Sequence, residues 1–142
     1  MEKFCVYYDP VALEELGKYT PYNLKKDIKD IDEETLADIA KDIADEIYQG
    51  LDRPPTAVAL RWSKKRQAAC AKIRVVDVDR DAGKSNGYRS IVLVDYAHHS
   101  AFLLHLYRHG HGENENISKS DRNMLNKLVE VYAQSLEAGS KK

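Results

Sequence analysis

The segment GYRSIVLVDYAHHSAFLLHLYR, residues 87–108, decides the fold. Two apolar runs, Ile91–Val94 and Phe102–Tyr107, are separated only by the tight connection from Asp95 to Ser100. β-Branched and aromatic residues suit a pleated, half-buried surface. A connection this short joins antiparallel neighbours, so the two runs predict a hairpin. Asn86-Gly87 stands just ahead of the first run, and both residues tolerate positive φ, which predicts another turn. KIRVVDVD (72–79) before that turn becomes a third strand, and AVALRW (57–62) has the texture of a fourth. Ser63 to Ala68 between them reads as a polar loop or a turn of helix.

The N-terminal part has a helical texture. KFCVYY (3–8) is a short strand, and Asp9-Pro10 resembles an N-cap followed by proline at the first helical position. That helix would pass through Leu13 and Leu16 and stop at Gly17. Thr20-Pro21 repeats the start signal ahead of Leu24, Ile28 and Ile31. The strongest helix opens at Asp32, with Glu33 and Glu34 at its positive end. Its apolar stripe is Leu36, Ile39, Ala40, Ile43 and Ile47, and Gly50 ends it. Asp38, Lys41, Asp42, Asp45 and Glu46 form the other face, either solvated or a contact surface. Arg53-Pro54-Pro55 then punctuates the chain. At the far end, Ser118-x-x-Asp121 is a capping pattern before the stripe Leu125, Leu128, Val129, Tyr132 and Leu136, with AGSKK as a frayed end. The order predicts an α+β fold: an antiparallel sheet of three to four strands, N-terminal helices, and a C-terminal helix packed on it.

A chain of 142 residues, without repeats or linkers, fits one domain over 1–142. Within it, 1–70 holds the first strand and an extended helical part, and 71–138 the sheet and last helix. No run approaches the roughly 18 apolar residues of a membrane span. Asp9 and Pro10 break the first apolar stretch too early for an export signal, so a cytoplasmic protein with reduced Cys5 and Cys70 is expected. The net charge of −1 hides an asymmetry. Residues 1–52 carry 6 Lys against 14 Asp and Glu, whereas 53–111 carry 11 Lys and Arg against 4 Asp. A basic middle is the footprint of a polyanion partner, or the complement of the acidic N-terminal part.

Lys72, Arg74, Lys84, Arg89 and Arg108 stand on or beside expected strands. Alternation puts Lys72 and Arg74 on one face, and His105, Tyr107 and His109 on one face of the last strand. Arg grips phosphate oxygens in pairs, while Tyr and His stack on bases or transfer protons, so such a face suits RNA. A wet face of an antiparallel sheet would show the same alternation. Lys64, Lys65 and Arg66 add a basic cluster fit for an RNA backbone. His109-Gly110-His111 invites a metal or acid–base reading. No Cys or carboxylate supports the metal except Glu113 and Glu115, so no metal and no small-molecule cofactor is expected.

Residues 72–132 resemble the second half of the RelE/ParE superfamily of toxins, nearest the HigB-like branch. The resemblance rests on an ordered set: Lys72-Ile73-Arg74, a Gly/Lys-rich loop from Lys84 to Arg89, Ile91–Val94, the hairpin, Phe102–Tyr107 with Arg108, acidic Glu113–Glu115, and Ile117-Ser118 before a Leu-rich helix. The chain departs from the family at RHGHGENEN (108–116), where the nearest form carries a shorter basic-Asn-Glu run.

The resemblance implies a RelE-like α+β toxin of a type II toxin–antitoxin system, neutralised by a cognate antitoxin protein. It implies metal-independent cleavage of mRNA on the translating ribosome. The ribose 2′-OH attacks the adjacent phosphate, so a base, a cationic clamp and an acid are needed. Arg74, Lys84 and Arg89 would form the clamp, and Tyr107, Arg108 and His109 occupy the strand end where the family often keeps a catalytic residue. Lys64, Lys65, Arg66 and Lys72 would hold RNA. Two alternatives stand beside this reading: a non-catalytic toxin on the same fold that blocks gyrase, and a phage or mobile-element interaction module docking through helix 32–50.

Overall fold

The computed structural model describes residues 4–9, 13, 14, 16–75, 87–108 and 117–140. Element order is β1 (Cys5–Tyr7), a 3₁₀ turn (Leu16–Tyr19), α1 (Leu24–Ile28), α2 (Glu33–Gln49), β2 (Asp52–Arg53), β3 (Ala57–Trp62), β4 (Ala68–Val75), β5 (Tyr88–Asp95), β6 (Ser100–Arg108) and α3 (Lys119–Ser140). All the described strands join one sheet in the order β1-β6-β5-β4-β3-β2. β1 runs parallel to β6, and every other pairing is antiparallel. The class is α+β as expected, but the sheet has six strands rather than three to four.

Two short strands extend the expected sheet at its edges; the first was expected over residues 3–8, though not as part of the sheet, and β2 was not expected. β2 contains two residues and pairs with Ala57 and Val58, while β1 is tied to Ser100–Phe102. The antiparallel part of the sheet therefore begins at Asp52, ahead of the strand expected from Ala57. β4 begins at Ala68, four residues before the expected start. Ala68, Ala69, Cys70 and Ala71 are all fully buried between the two helical layers, where small side chains allow close approach. Ser63 supports the turn before them, its Oγ accepting from the amides of Gln67 and Ala68 at 3.1 Å.

α2 follows the sequence reading closely. The Asp32 carboxylate caps it, accepting from the Thr35 amide at 2.7 Å, and that bond lowers the Asp32 pKa. Gly50 ends the helix at φ 120, a conformation open to glycine. Ile39, Ile43 and Ile47 bury the stripe against Ala71, Ile73, Val92 and Leu103. Glu46 departs from the solvated reading of the acidic face. It is buried, and Arg53 donates to its carboxylate at 3.0 Å and to its carbonyl at 2.7 Å. Arg53 also reaches the Gly50 carbonyl at 3.0 Å, so this cation caps the helix C-terminus as well as punctuating the chain.

Of the expected helix from Pro10 to Gly17, residues 10–12 and 15 lie outside the described set; the Leu13 amide donates to the Asp9 carbonyl at 3.2 Å, and a 3₁₀ turn occupies Leu16–Tyr19. α1 is capped by the Asn23 side chain rather than by Thr20. α3 starts as expected, Ser118 Oγ accepting from the Asp121 amide at 3.1 Å, and stays helical to Ser140. It packs Leu125, Leu128 and Val129 on Cys70, Ile91, Leu93 and Leu104. The β5–β6 hairpin is present. Buried Asp95 holds it, accepting from the His98 amide at 3.0 Å, from His98 Nδ1 at 2.8 Å and from the Tyr132 hydroxyl at 2.7 Å. The Asn86 half of the second expected turn, and residues 76–79 of the third expected strand, lie outside the described residues. No described helix is long and apolar enough to cross a membrane.

Candidate nucleic-acid interface

Register sets the site. Arg74 stands opposite Arg89 on β5, and Arg89 stands opposite Tyr107 on β6. The neighbouring row toward the hairpin is Lys72, Ile91 and His105. Strand alternation turns both rows to the α3 side, the side of Cys70 and Leu93. β6 reaches this arrangement through a β-bulge. Val92 pairs with Leu103 but Ile91 pairs with His105, so Leu104 is the extra residue. Before the bulge Ala101 and Leu103 face α2; after it Leu106 does, and His105 and Tyr107 join Arg89.

Lys72, Arg74, His105 and Tyr107 are half-buried, and Arg89 is fully buried. A guanidinium keeps its proton at any ordinary pH, so Arg89 is a fixed positive charge inside the protein. Arg74 stands beside it, nearer the surface, and a guanidinium there can take phosphate oxygens in pairs.

His105 is held on three sides. Its Nδ1 lies 2.7 Å from Asp27 Oδ2 of α1. Its ring stacks on Tyr22 at 4.2 Å between centroids with 3° between planes, and on Tyr107 at 4.8 Å and 24°. The same Asp27 oxygen accepts the Leu106 amide at 3.2 Å, on a stretch of β6 beyond the three residues that β1 covers. Burial first, then the negative charge of Asp121, pushes the Tyr22 hydroxyl well above the ordinary phenol range. Sequence reading placed neither Asp27 nor Tyr22 here. No local pattern signals a partner 78 positions away along the chain.

The other expected site residues are scattered. Arg108 is turned to the α2 side, opposite Arg74, Arg89 and Tyr107. It donates to the Tyr88 hydroxyl from Nη2 at 2.9 Å, and its guanidinium carbon lies 5.0 Å from that ring's centroid. Lys64, Lys65 and Arg66 occupy the β3–β4 turn beyond Ala68, which itself lies about 20 Å from Arg74 at roughly 3.3 Å per strand residue. There Lys65 pairs with Glu137 at 3.0 Å, and Arg66 covers the Trp62 ring at 4.6 Å. A groove of about 250 Å³ separates this turn from α3. Lys72 alone of the expected RNA-binding set stands with the rows. Lys84 and His109 lie outside the described residues, as do His111, Glu113 and Glu115. Among the described residues, no three His, Cys, Asp or Glu side chains gather around a possible metal position.

Set against protein-family models, curated proteins and solved structures, the chain finds no match.

Proposed function

We propose that this chain is the toxin of a bacterial type II toxin–antitoxin pair, a metal-independent endoribonuclease that cuts mRNA on translating ribosomes in the cytoplasm. The observation that carries this reading is the cross-strand row Arg74–Arg89–Tyr107 with Lys72 and His105 beside it. Two further points support it: the ordered motif set of residues 72–132, and a fold that runs from a first strand through helices to an antiparallel sheet and a final helix.

In this reading Lys72 and Arg74 take the phosphate oxygens at the surface. Arg89 lies beneath them, in register between Arg74 and Tyr107. Tyr107 lies flat enough against its neighbours to offer a stacking face to a base. The attacking 2′-oxygen forms a bond to phosphorus as the bond to the 5′-oxygen breaks, and the cations offset the charge that builds on the phosphorane. A cognate antitoxin would silence the protein by covering this face.

The test adds purified protein to a cell-free translation reaction on one defined mRNA and maps new 5′ ends by primer extension. Arg74→Ala is the companion variant, since Arg74 is half-exposed and Arg89 is not. Discrete ends that form about 100-fold more slowly in the variant support the reading, the size of effect seen when one charge-stabilising contact is removed. Intact mRNA in the presence of folded protein overturns it.

A further inference from the structure

We infer that His105 is the general base of this cleavage and that Asp27 positions it; the inference rests on the ribonuclease reading above. A carboxylate only accepts hydrogen bonds. Asp27 Oδ2 already receives the Leu106 amide, and it lies 2.7 Å from His105 Nδ1. Nδ1 therefore carries the hydrogen, and in the neutral ring the lone pair sits on Nε2. Tyr22 and Tyr107 clamp the ring and fix its plane. With its side chain 23% exposed, the ring remains within reach of a substrate from solvent.

His105 also stands in the correct place. It is one strand over from Ile91 and one row from Arg89, so a phosphate over Arg74 and Tyr107 brings its ribose toward the imidazole. Nε2 takes the 2′-hydroxyl proton while the O2′–P bond forms. The P–O5′ bond breaks with its electron pair on the 5′-oxygen, which takes a proton from water. The products are a 2′,3′-cyclic phosphate and a 5′-hydroxyl. Asp27 stabilises the imidazolium that results and fixes the tautomer beforehand.

The charged and titratable groups around the ring are Asp27 from α1, Tyr22 ahead of α1, Tyr107 on β6, Arg89 on β5, Lys72 and Cys70 on β4, and Asp121 on α3.

The experiment measures cleavage rate from about pH 5 to about pH 8, the range in which imidazole titrates. It compares the wild-type chain, His105→Gln and Asp27→Asn, with thermal melts and filter binding of single-stranded RNA alongside. The expected result is a wild-type rate that rises with pH. His105→Gln should be at least about 100-fold slower and should lose the rise, with RNA binding retained. Asp27→Asn, whose amide oxygen can still accept from Leu106 and from Nδ1 but which lacks the charge that stabilises the imidazolium, should be slowed with RNA binding retained. If wild type cleaves and His105→Gln keeps both rate and pH rise, the inference falls and the ribonuclease reading stands. If wild type yields no new ends, both fall. Should His105→Gln lose its cooperative melt, Asp27→Asn decides, and an unchanged rate in it overturns the inference.

Discussion

Toward the Asp95–Ser100 turn, the α3 side of the sheet carries Cys70, Leu93 and Leu104 beneath Leu125, Leu128 and Val129. Further along the same strands, the same side carries Arg74, Arg89 and Tyr107. One end is aliphatic and sealed by a helix; the other holds guanidinium groups and stacked rings. The strands are continuous through both, so backbone pairing does not distinguish them. The difference lies in what each side chain does once it is out of water. An aliphatic group stabilises the fold by leaving it, whereas a cation is stabilised only by the polar or charged groups it meets. Stability should therefore concentrate at the turn end and chemistry at the other.

The largest expected effect is at the sealed end. Leu93 is fully buried, and Leu93→Ala should destabilise the fold by about 3 kcal/mol through lost transfer energy and a residual cavity. Urea unfolding measures this, and a loss below about 1 kcal/mol would mean that the turn end is not the anchor. Tyr132→Phe removes the hydroxyl that donates to buried Asp95 and should cost about 1 kcal/mol in the same assay. At the charged end, Arg74→Ala should change stability by less than about 0.5 kcal/mol. It should instead flatten the log–log salt dependence of single-stranded RNA affinity by about 0.7, one phosphate contact's worth. A large stability loss in Arg74→Ala with an unchanged salt slope would reverse the assignment of roles.

The smallest effect near neutrality sharpens the comparison at the boundary. Burial pushes the Cys70 thiol up to about 12, with Arg122 pulling weakly the other way. In the unfolded chain a thiol ionises at about 8.5. Between those values the unfolded chain binds fewer protons than the folded one, so stability is full below about 8.5 and falls as pH rises toward about 12. Tyr22 and Tyr132, both raised by burial, add to the loss above about 10. Urea midpoints at pH 7.5 and at about pH 10 should show the fall, and Cys70→Ala should make it shallower. An equal fall in the variant would remove Cys70 from the account.

Where the sequence was legible, the signal was local. Asp32, the isoleucine stripe and Gly50 specify α2 within eighteen positions of one another, and the Asp95–Ser100 hairpin is specified by its own connection. The start of β4 was missed because Ala68–Ala71 have no strong strand preference; their size, not their propensity, is what two flanking layers select. β1 was legible as a short strand over 3–8, but its parallel place beside β6 was not, and β2 is too short to show a period and exists through pairing. In the candidate site, the alternation of Lys72 and Arg74 was readable, as was the shared face of His105 and Tyr107. That Arg108 turns away to Tyr88 follows from the same alternation. The depth of Arg89 and the Asp27 contact depend on packing across the whole domain, which no window of sequence contains.

The extra residue at Leu104 has a consequence for how this chain can change over generations. Deleting it leaves every pairing beyond it in place: Leu103 still meets Val92, His105 meets Ile91 and Tyr107 meets Arg89, now in regular alternation. Straightening the bulge with the leucine retained is what rotates the rest of β6 by half a turn, bringing Leu106 and Arg108 to the α3 side in place of His105 and Tyr107. Losing one residue between His105 and Tyr107 would likewise separate those two rings onto opposite faces, with no charged or aromatic residue altered. In descendants of this sequence, loss of the leucine at the bulge should accordingly be tolerated by the rows beside Arg89, whereas a change of length between His105 and Tyr107 should not.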